Sequence, residues 1–186
     1  MQIVDPIKTI EEIQKMREIL KPKKRNLVLF DLGITSALRV SDLLNLNVED
    51  VRNKTEVKVK EQKTGKYKKF PLQPQVQQEI AEYLATRPNA DDEEPLFLTQ
   101  KGYRLDRMQA HELLKNAAKK AGVKGNIGTH SLRKTFGYHH YKRFNDIGLL
   151  QKILNHSSSA ITLCYIGITQ EIIDMSYKNF NLLEVA

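Results

Sequence analysis

The chain is short of the features that mark the specialised classes of protein. It has a single cysteine, Cys164, so no internal disulfide can form, and the expectation is a reducing, cytoplasmic setting. No apolar run approaches the ~20 residues a membrane-crossing helix needs. Acidic and basic residues mix from Asp5 onward, which leaves no apolar block of the signal-peptide kind. Internal repeats, low-complexity tracts and linkers are missing too, so 1–186 reads as one domain. Metal-ligand spacing is also lacking, and no metal is expected.

What is present is an ordinary soluble, globular composition, 40% hydrophobic and 28% charged over 186 residues. That length can bury a core without covalent staples. The formal net charge is +8, a surplus that attracts polyanions and speeds their encounter. Nucleic acid is the first such partner, because lysine and arginine release counterions from phosphates. The alternative is a basic protein with no polyanionic partner.

Thr9 and Glu12 form a capping-box pair ahead of Ile10, Ile13, Met16 and Leu20, and Pro22 ends that helix. A second apolar helix is predicted from about Arg25 to Leu32. A third, short one carries Leu38, Leu43 and Leu44, with Ser36 as its N-cap. From Val48 to Leu72 the pattern changes. Glu56–Lys60 and Lys66–Leu72 read as two strands around the turn Lys63-Thr64-Gly65, with Val48–Val51 as a third strand. This hairpin is strongly basic. Helical period returns after Pro74, and residues 88–95 read as an acidic exposed loop. Further helices are expected at about 106–121, 131–142, 147–154, 159–165 and 170–180. The fold class is α+β: mainly α-helical with a small three-stranded antiparallel β-sheet.

Three segments are more polar than plain helices require. Arg39 sits among core-type residues at a helix start, where free N–H groups favour an anion; the plainer alternative is a surface arginine paired with Asp42. His130 and Arg133 share one helical face, and arginine can grip two phosphate oxygens with its planar fork. The same spacing also suits a capped helix start with two solvated side chains. His156 ends a helix, a serine turn follows, and a short helix presents Tyr165, which is otherwise a core tyrosine.

Taken together, the segments resemble the tyrosine recombinase family, also called phage integrases. Members carry an arginine in a helix-opening motif, a lysine on a β-hairpin, a His-x-x-Arg motif, a further histidine, and a tyrosine nine residues after it. Arg39, Lys63, His130, Arg133, His156 and Tyr165 match these in order and spacing, across nearly the whole chain. Asn155 departs from the glycine that many members have before the second histidine. No N-terminal core-binding domain, which most members use to clamp the far side of DNA, is expected within these residues, and this puts high-affinity, sequence-specific binding by this chain alone in question.

The resemblance implies breaking and rejoining of double-stranded DNA through a 3′-phosphotyrosine link. The transition state spreads charge over phosphate oxygens, and Arg39 and Arg133 supply permanently charged donors to them. A phenol of pKa ~10 is a weak nucleophile at neutral pH; nearby arginines favour the phenolate, and His130 matches the base. His156 matches a hydrogen-bond donor to the phosphate. Lys63 matches the general acid for the leaving 5′-hydroxyl, with Lys66, Lys68 and Lys69 as rivals. The covalent link conserves bond energy, so no cofactor is expected.

Lys58, Lys60, Lys66 and Lys68 on the hairpin, with Lys115 and Lys119 on a later helix, are expected to contact the DNA backbone. Past Gly167, an apolar stripe of Ile168, Ile172, Ile173, Met175 and Phe180 either packs on its own domain or docks on a neighbouring protomer, as such helices do in the resembling family. The expectation for assembly is a dimer to tetramer on DNA, and a monomer or helix-exchanged oligomer without it. Two other readings stay open: a non-catalytic DNA-binding regulator built on a recombinase fold, and a type IB topoisomerase-like enzyme.

Overall fold

The computed structural model describes residues 4–167 and 170–180. Helix α1 (Ile10–Leu20) is capped by Thr9, whose Oγ1 accepts from the Glu12 N–H at 3.1 Å and donates to Glu12 Oε2 at 3.0 Å. It stops just before Pro22. Helix α2 (Lys24–Ser36) is apolar nearly all round and runs through the interior against α4 (Pro74–Leu84) and α6 (Thr129–Phe144). Helix α5 (Arg107–Ala121), capped by Asp106, covers α1. Among these helices, Arg17 of α1 is clamped to Asp31 of α2 at 3.1 Å and to Glu79 of α4 at 2.6 Å. Burial, with a shared hydrogen bond to Glu79, pushes the Asp31 carboxyl up to about 7.

The sheet has two strands among the described residues, not three. β1 (Glu56–Lys60) and β2 (Tyr67–Pro71) pair antiparallel, Val57 opposite Phe70 and Val59 opposite Lys68. Val48–Val51 does not add a strand. Residues Val48–Asp50 form a 3₁₀ turn that Asn47 and Asp50 cap reciprocally, and the N–H groups of Val48 and Glu49 go to the carbonyls of Glu94 and Asp92 at 2.9 Å. With those two donors committed to the acidic loop, and the N–H groups of Asp50 and Val51 closing the turn on the carbonyls of Asn47 and Val48, the segment has none to offer the hairpin. Ser36 likewise closes α2 instead of opening the next helix. The N-cap of α3 (Val40–Leu44) is Arg39.

Two apolar cores divide the molecule. The larger holds α1, α2, α4, α5 and the hairpin around residues such as Met16, Phe30, Leu38, Leu114 and Leu132. The smaller gathers Ala37, Leu150, Leu154 and Ile166, with Phe136 and Tyr141 against them. It is built by the later part of α6 with α7 (Ile147–Ile153) and α8 (Ser159–Ile166). Gly137 of α6 allows α8 to approach closely: a methyl group there would lie 2.6 Å from Ile166 Cγ2. Neighbours in sequence fall into different cores, Ala37 from Leu38 and Phe136 from Leu132, and Arg133 lies on the seam between them. Helix α9 (Gln170–Asn179) follows. Its residues Met175 and Tyr177, and Phe180 just past its end, are exposed. Ile168 and the side chains of Ile172 and Ile173 lie outside the described residues.

Candidate active site

Arg39 owes its position to a left-handed break. Ala37 has φ 55° and ψ 24°, which ends α2, and Ser36 Oγ accepts from the Leu38 N–H at 3.2 Å. The turn aims the Ala37 carbonyl into the seam. There it accepts from Arg133 Nη1 and, at 2.9 Å, from Lys68 Nζ. Arg133 Nη2 donates to the Leu154 carbonyl at 2.6 Å. The buried guanidinium thus joins the end of α2 to the end of α7.

The last turn of the site begins at Asn155, which has φ 49°. This left-handed conformation is one that glycine adopts freely and asparagine tolerates, which accounts for the departure from the family pattern. Asn155 also does what glycine cannot: its Nδ2 donates to Glu61 Oε2 at 3.0 Å. Ser158 then caps α8. Thr162 of α8 is fully buried, and its hydroxyl donates to the Ser158 carbonyl and meets His156 Nδ1, both at 3.1 Å. This contact fixes the plane of the His156 imidazole, with the tautomer deciding which of the two partners donates. The imidazole lies edge-on to the Tyr165 ring, 4.9 Å between centroids. Lys134 stands 5.4 Å over the same ring.

The electrostatics follow from partial burial beside two guanidinium groups. Burial pushes the Tyr165 phenol up, against the pull of the Arg133 and Arg39 charges and a hydrogen bond from Arg133. The arginines alone favour the phenolate, but in the DNA-free protein desolvation wins. Burial, then the Arg133 and Arg39 charges, hold His156 down to about 4. Burial, then Arg107, hold His130 below the usual imidazole range. Lys68, half-buried beside Arg133, is brought down to about 7, again chiefly by burial.

The fold therefore gathers Arg39, Arg133, His156 and Tyr165 from four separate segments. His130 sits on α6 one turn before Arg133, half-buried, its Nε2 3.4 Å from Arg107 Nη2. Lys63 is exposed in the hairpin turn, and the hairpin amine that enters the cluster is that of Lys68. Lys58, Lys60, Lys66, Lys115 and Lys119 are exposed.

Glu61 and Thr162 escaped the sequence reading. The period-two pattern Val57, Val59, Glu61 would have placed Glu61 on the inner face of β1. Phe70 and Lys68 do the same for β2. Nothing comparable points to Thr162.

The sequence matches the phage integrase family over residues 8–171, and the chain belongs to that family. It is 44% identical over 182 residues to the probable integrase/recombinase YoeC of Bacillus subtilis, covering 97% of this chain and 98% of YoeC. It is 32% identical to the tyrosine recombinase XerA of Pyrococcus furiosus over 95% of this chain, but spans only 62% of that longer protein. The structure superposes on a crystal structure of XerA recombinase with a TM-score of 0.77 at 23% identity, covering 93% of this chain and 62% of that one. It superposes on a lambda integrase dimer bound to a COC′ core site with a TM-score of 0.70 at 15% identity, covering 100% and 53%. At these identities the structural likeness shows the fold, and the fold is that of tyrosine recombinase catalytic domains.

Proposed function

We propose that the chain breaks and rejoins double-stranded DNA as a site-specific recombinase or integrase, with Tyr165 as the nucleophile. Its phenol oxygen attacks a backbone phosphorus. A phosphotyrosine bond to the 3′ end forms, and the bond to the 5′ oxygen breaks. Arg39 and Arg133 bind the non-bridging oxygens, where negative charge builds up. His130, held neutral, takes the phenolic proton. Lys63 meets the DNA from the hairpin turn and returns a proton to the leaving 5′ oxygen. His156 donates to the phosphate once the incoming negative charge has restored its second proton. The exposed lysines Lys58, Lys60, Lys66, Lys115 and Lys119 contact the backbone, while Lys68 braces the site from inside. Attack by another strand's 5′-hydroxyl reverses the step, with no cofactor.

The observation that carries this reading is the meeting of one phenol, one imidazole and two guanidinium groups at the seam of two cores. The family membership and the matched order of these residues agree with it. Self-association fits the exposed Met175 and Tyr177 on α9 and Phe180 just past it, which in this reading dock on a neighbouring copy when the proteins assemble on DNA. A nicked suicide substrate, which loses the short fragment bearing the 5′-hydroxyl after cleavage, tests the central claim. Wild type is expected to trap a covalent protein–DNA adduct and Tyr165→Phe none; equal trapping by both rejects the assignment.

A further inference from the structure

We propose that Glu61 is a positioning residue for cleavage: its buried carboxylate fixes the Arg39 guanidinium and joins the hairpin turn to the turn that carries His156. The proposal rests on the reading of the site just given and deepens it. Glu61 continues the inward face of β1 beyond Val57 and Val59 and is fully buried. A carboxylate buried without partners is strongly destabilising, so its surroundings are informative.

The two oxygens of Glu61 have separate tasks. Oε1 faces the arginines, 2.9 Å from Arg39 Nη1 in an ion contact without hydrogen-bond alignment, and 4.0 Å from Arg133 Nη1. Oε2 accepts from Thr64 Oγ1 in the hairpin turn at 2.7 Å and from Asn155 Nδ2 at 3.0 Å. Burial works to raise the carboxyl, but these hydrogen bonds and the Arg39 charge outweigh it, so Glu61 lies below the usual carboxylate range and is an anion. One side chain thus links the start of α3, the turn next to Lys63 and the turn next to His156. Asp42 of α3 adds a parallel tie, accepting from the Gln62 N–H at 2.9 Å.

Glu61 cannot itself touch the reacting phosphate, which would meet a like charge with no free face. What it can do is hold Arg39 in one place before DNA arrives, which removes reorganisation from the reaction step. Its charge also offsets the field of Arg39, Arg133 and Lys68. The charged groups that meet it are Arg39 at the N-cap of α3, Asp42 from α3, Lys68 from β2 and Arg133 from α6, and the two arginines in turn act on His156 and Tyr165. With the anion gone, the stronger positive field lowers the phenol pKa of Tyr165.

The test is E61Q in the full chain on the nicked suicide substrate, with single-turnover cleavage measured from about pH 6 to 9. A DNA dissociation constant is measured alongside in a Tyr165→Phe background. The cleavage rate is expected to fall roughly 100-fold, DNA affinity to hold or rise, and the pH–rate profile to move to lower pH. A merely structural Glu61 would lower the yield of folded protein and leave the profile in place. A wild-type rate and profile in E61Q overturn the proposal.

If E61Q does not fold, N155G and T64V decide. Each removes one Oε2 contact and keeps the charge, and glycine keeps the left-handed turn. Slower cleavage with an unmoved profile in both supports the proposal, and wild-type rates in both overturn it. Failure of wild type to trap DNA is a separate result: it defeats the recombinase reading and takes this inference with it. Trapping by wild type with an unaltered E61Q defeats the inference alone.

Discussion

Gly137 offers a direct way to move the nucleophile without touching it. A methyl group at this position would stand 2.6 Å from Ile166 Cγ2, where ordinary contact begins at 3.4 Å. Ile166 is fully buried and follows Tyr165 on α8, so its side chain has little room to swing away. In Gly137→Ala the helix is therefore expected to retreat by about 1 Å. Overpacking of this kind costs about 1–3 kcal/mol, which for a chain of this length lowers the melting temperature by roughly 2–12 °C. The rate should suffer more. A displacement of about 1 Å between nucleophile and phosphate is enough for roughly 100-fold slower cleavage. Thermal melting and single-turnover trapping on the nicked substrate measure the two effects separately. Ile166→Ala removes the clashing methyl at its own cost of about 2–5 kcal/mol, and adding Gly137→Ala to it should then change the rate little. A wild-type cleavage rate in Gly137→Ala alone, with the protein folded, would show that α6 and α8 are not rigidly coupled and refute the reasoning.

Two further outcomes concern pH. The free His156 imidazole is held down to about 4, and a bound phosphate raises it, so DNA binding takes up a proton and tightens as pH falls towards that value; His156→Gln in a Tyr165→Phe background should flatten this trend in fluorescence-anisotropy titrations, and an unchanged slope counts against it. Asp31 has its folded carboxyl raised from 3.8 to about 7, so its contribution to stability is full below the unfolded value and is lost as pH rises through about 7. Asp31→Asn should therefore weaken the fall in melting temperature between those limits, and identical slopes for the two proteins would exclude Asp31 as its source.

Much of this fold is legible in the sequence because local chemistry and packing agree. Thr9 and Glu12, Pro74 at a helix start, and Asp106 before α5 each announce an element that the tertiary structure keeps. The misreadings share a different cause. Val48–Val51 has strand-like residues, but its hydrogen-bond donors are claimed by the carbonyls of Asp92 and Glu94, more than 40 residues on. Ser36 is a good N-cap type, yet the left-handed Ala37 after it moves the helix start to Arg39, and no simple rule puts alanine in that conformation.

The site shows the same divide. Residue type and spacing leave Arg39, Arg133, His156 and Tyr165 each open to an ordinary structural role, and it is the resemblance to the recombinase family that singles them out together. The depth of the hairpin residues was harder to read. Lys68 and Glu61 look like two more charges in a basic ribbon until the register turns them inward.

The division into two cores sets the order in which this protein would fail. Among the described residues the smaller core has four buried apolar side chains to the larger core's 29, so it is the part that loosens first under heat or denaturant. Its departure would carry off the phenol and one imidazole while Arg39 and the helices behind it stayed folded. Activity should then disappear at a lower temperature than helical signal, and a partner that braces the small lobe would switch the enzyme on without reshaping the rest.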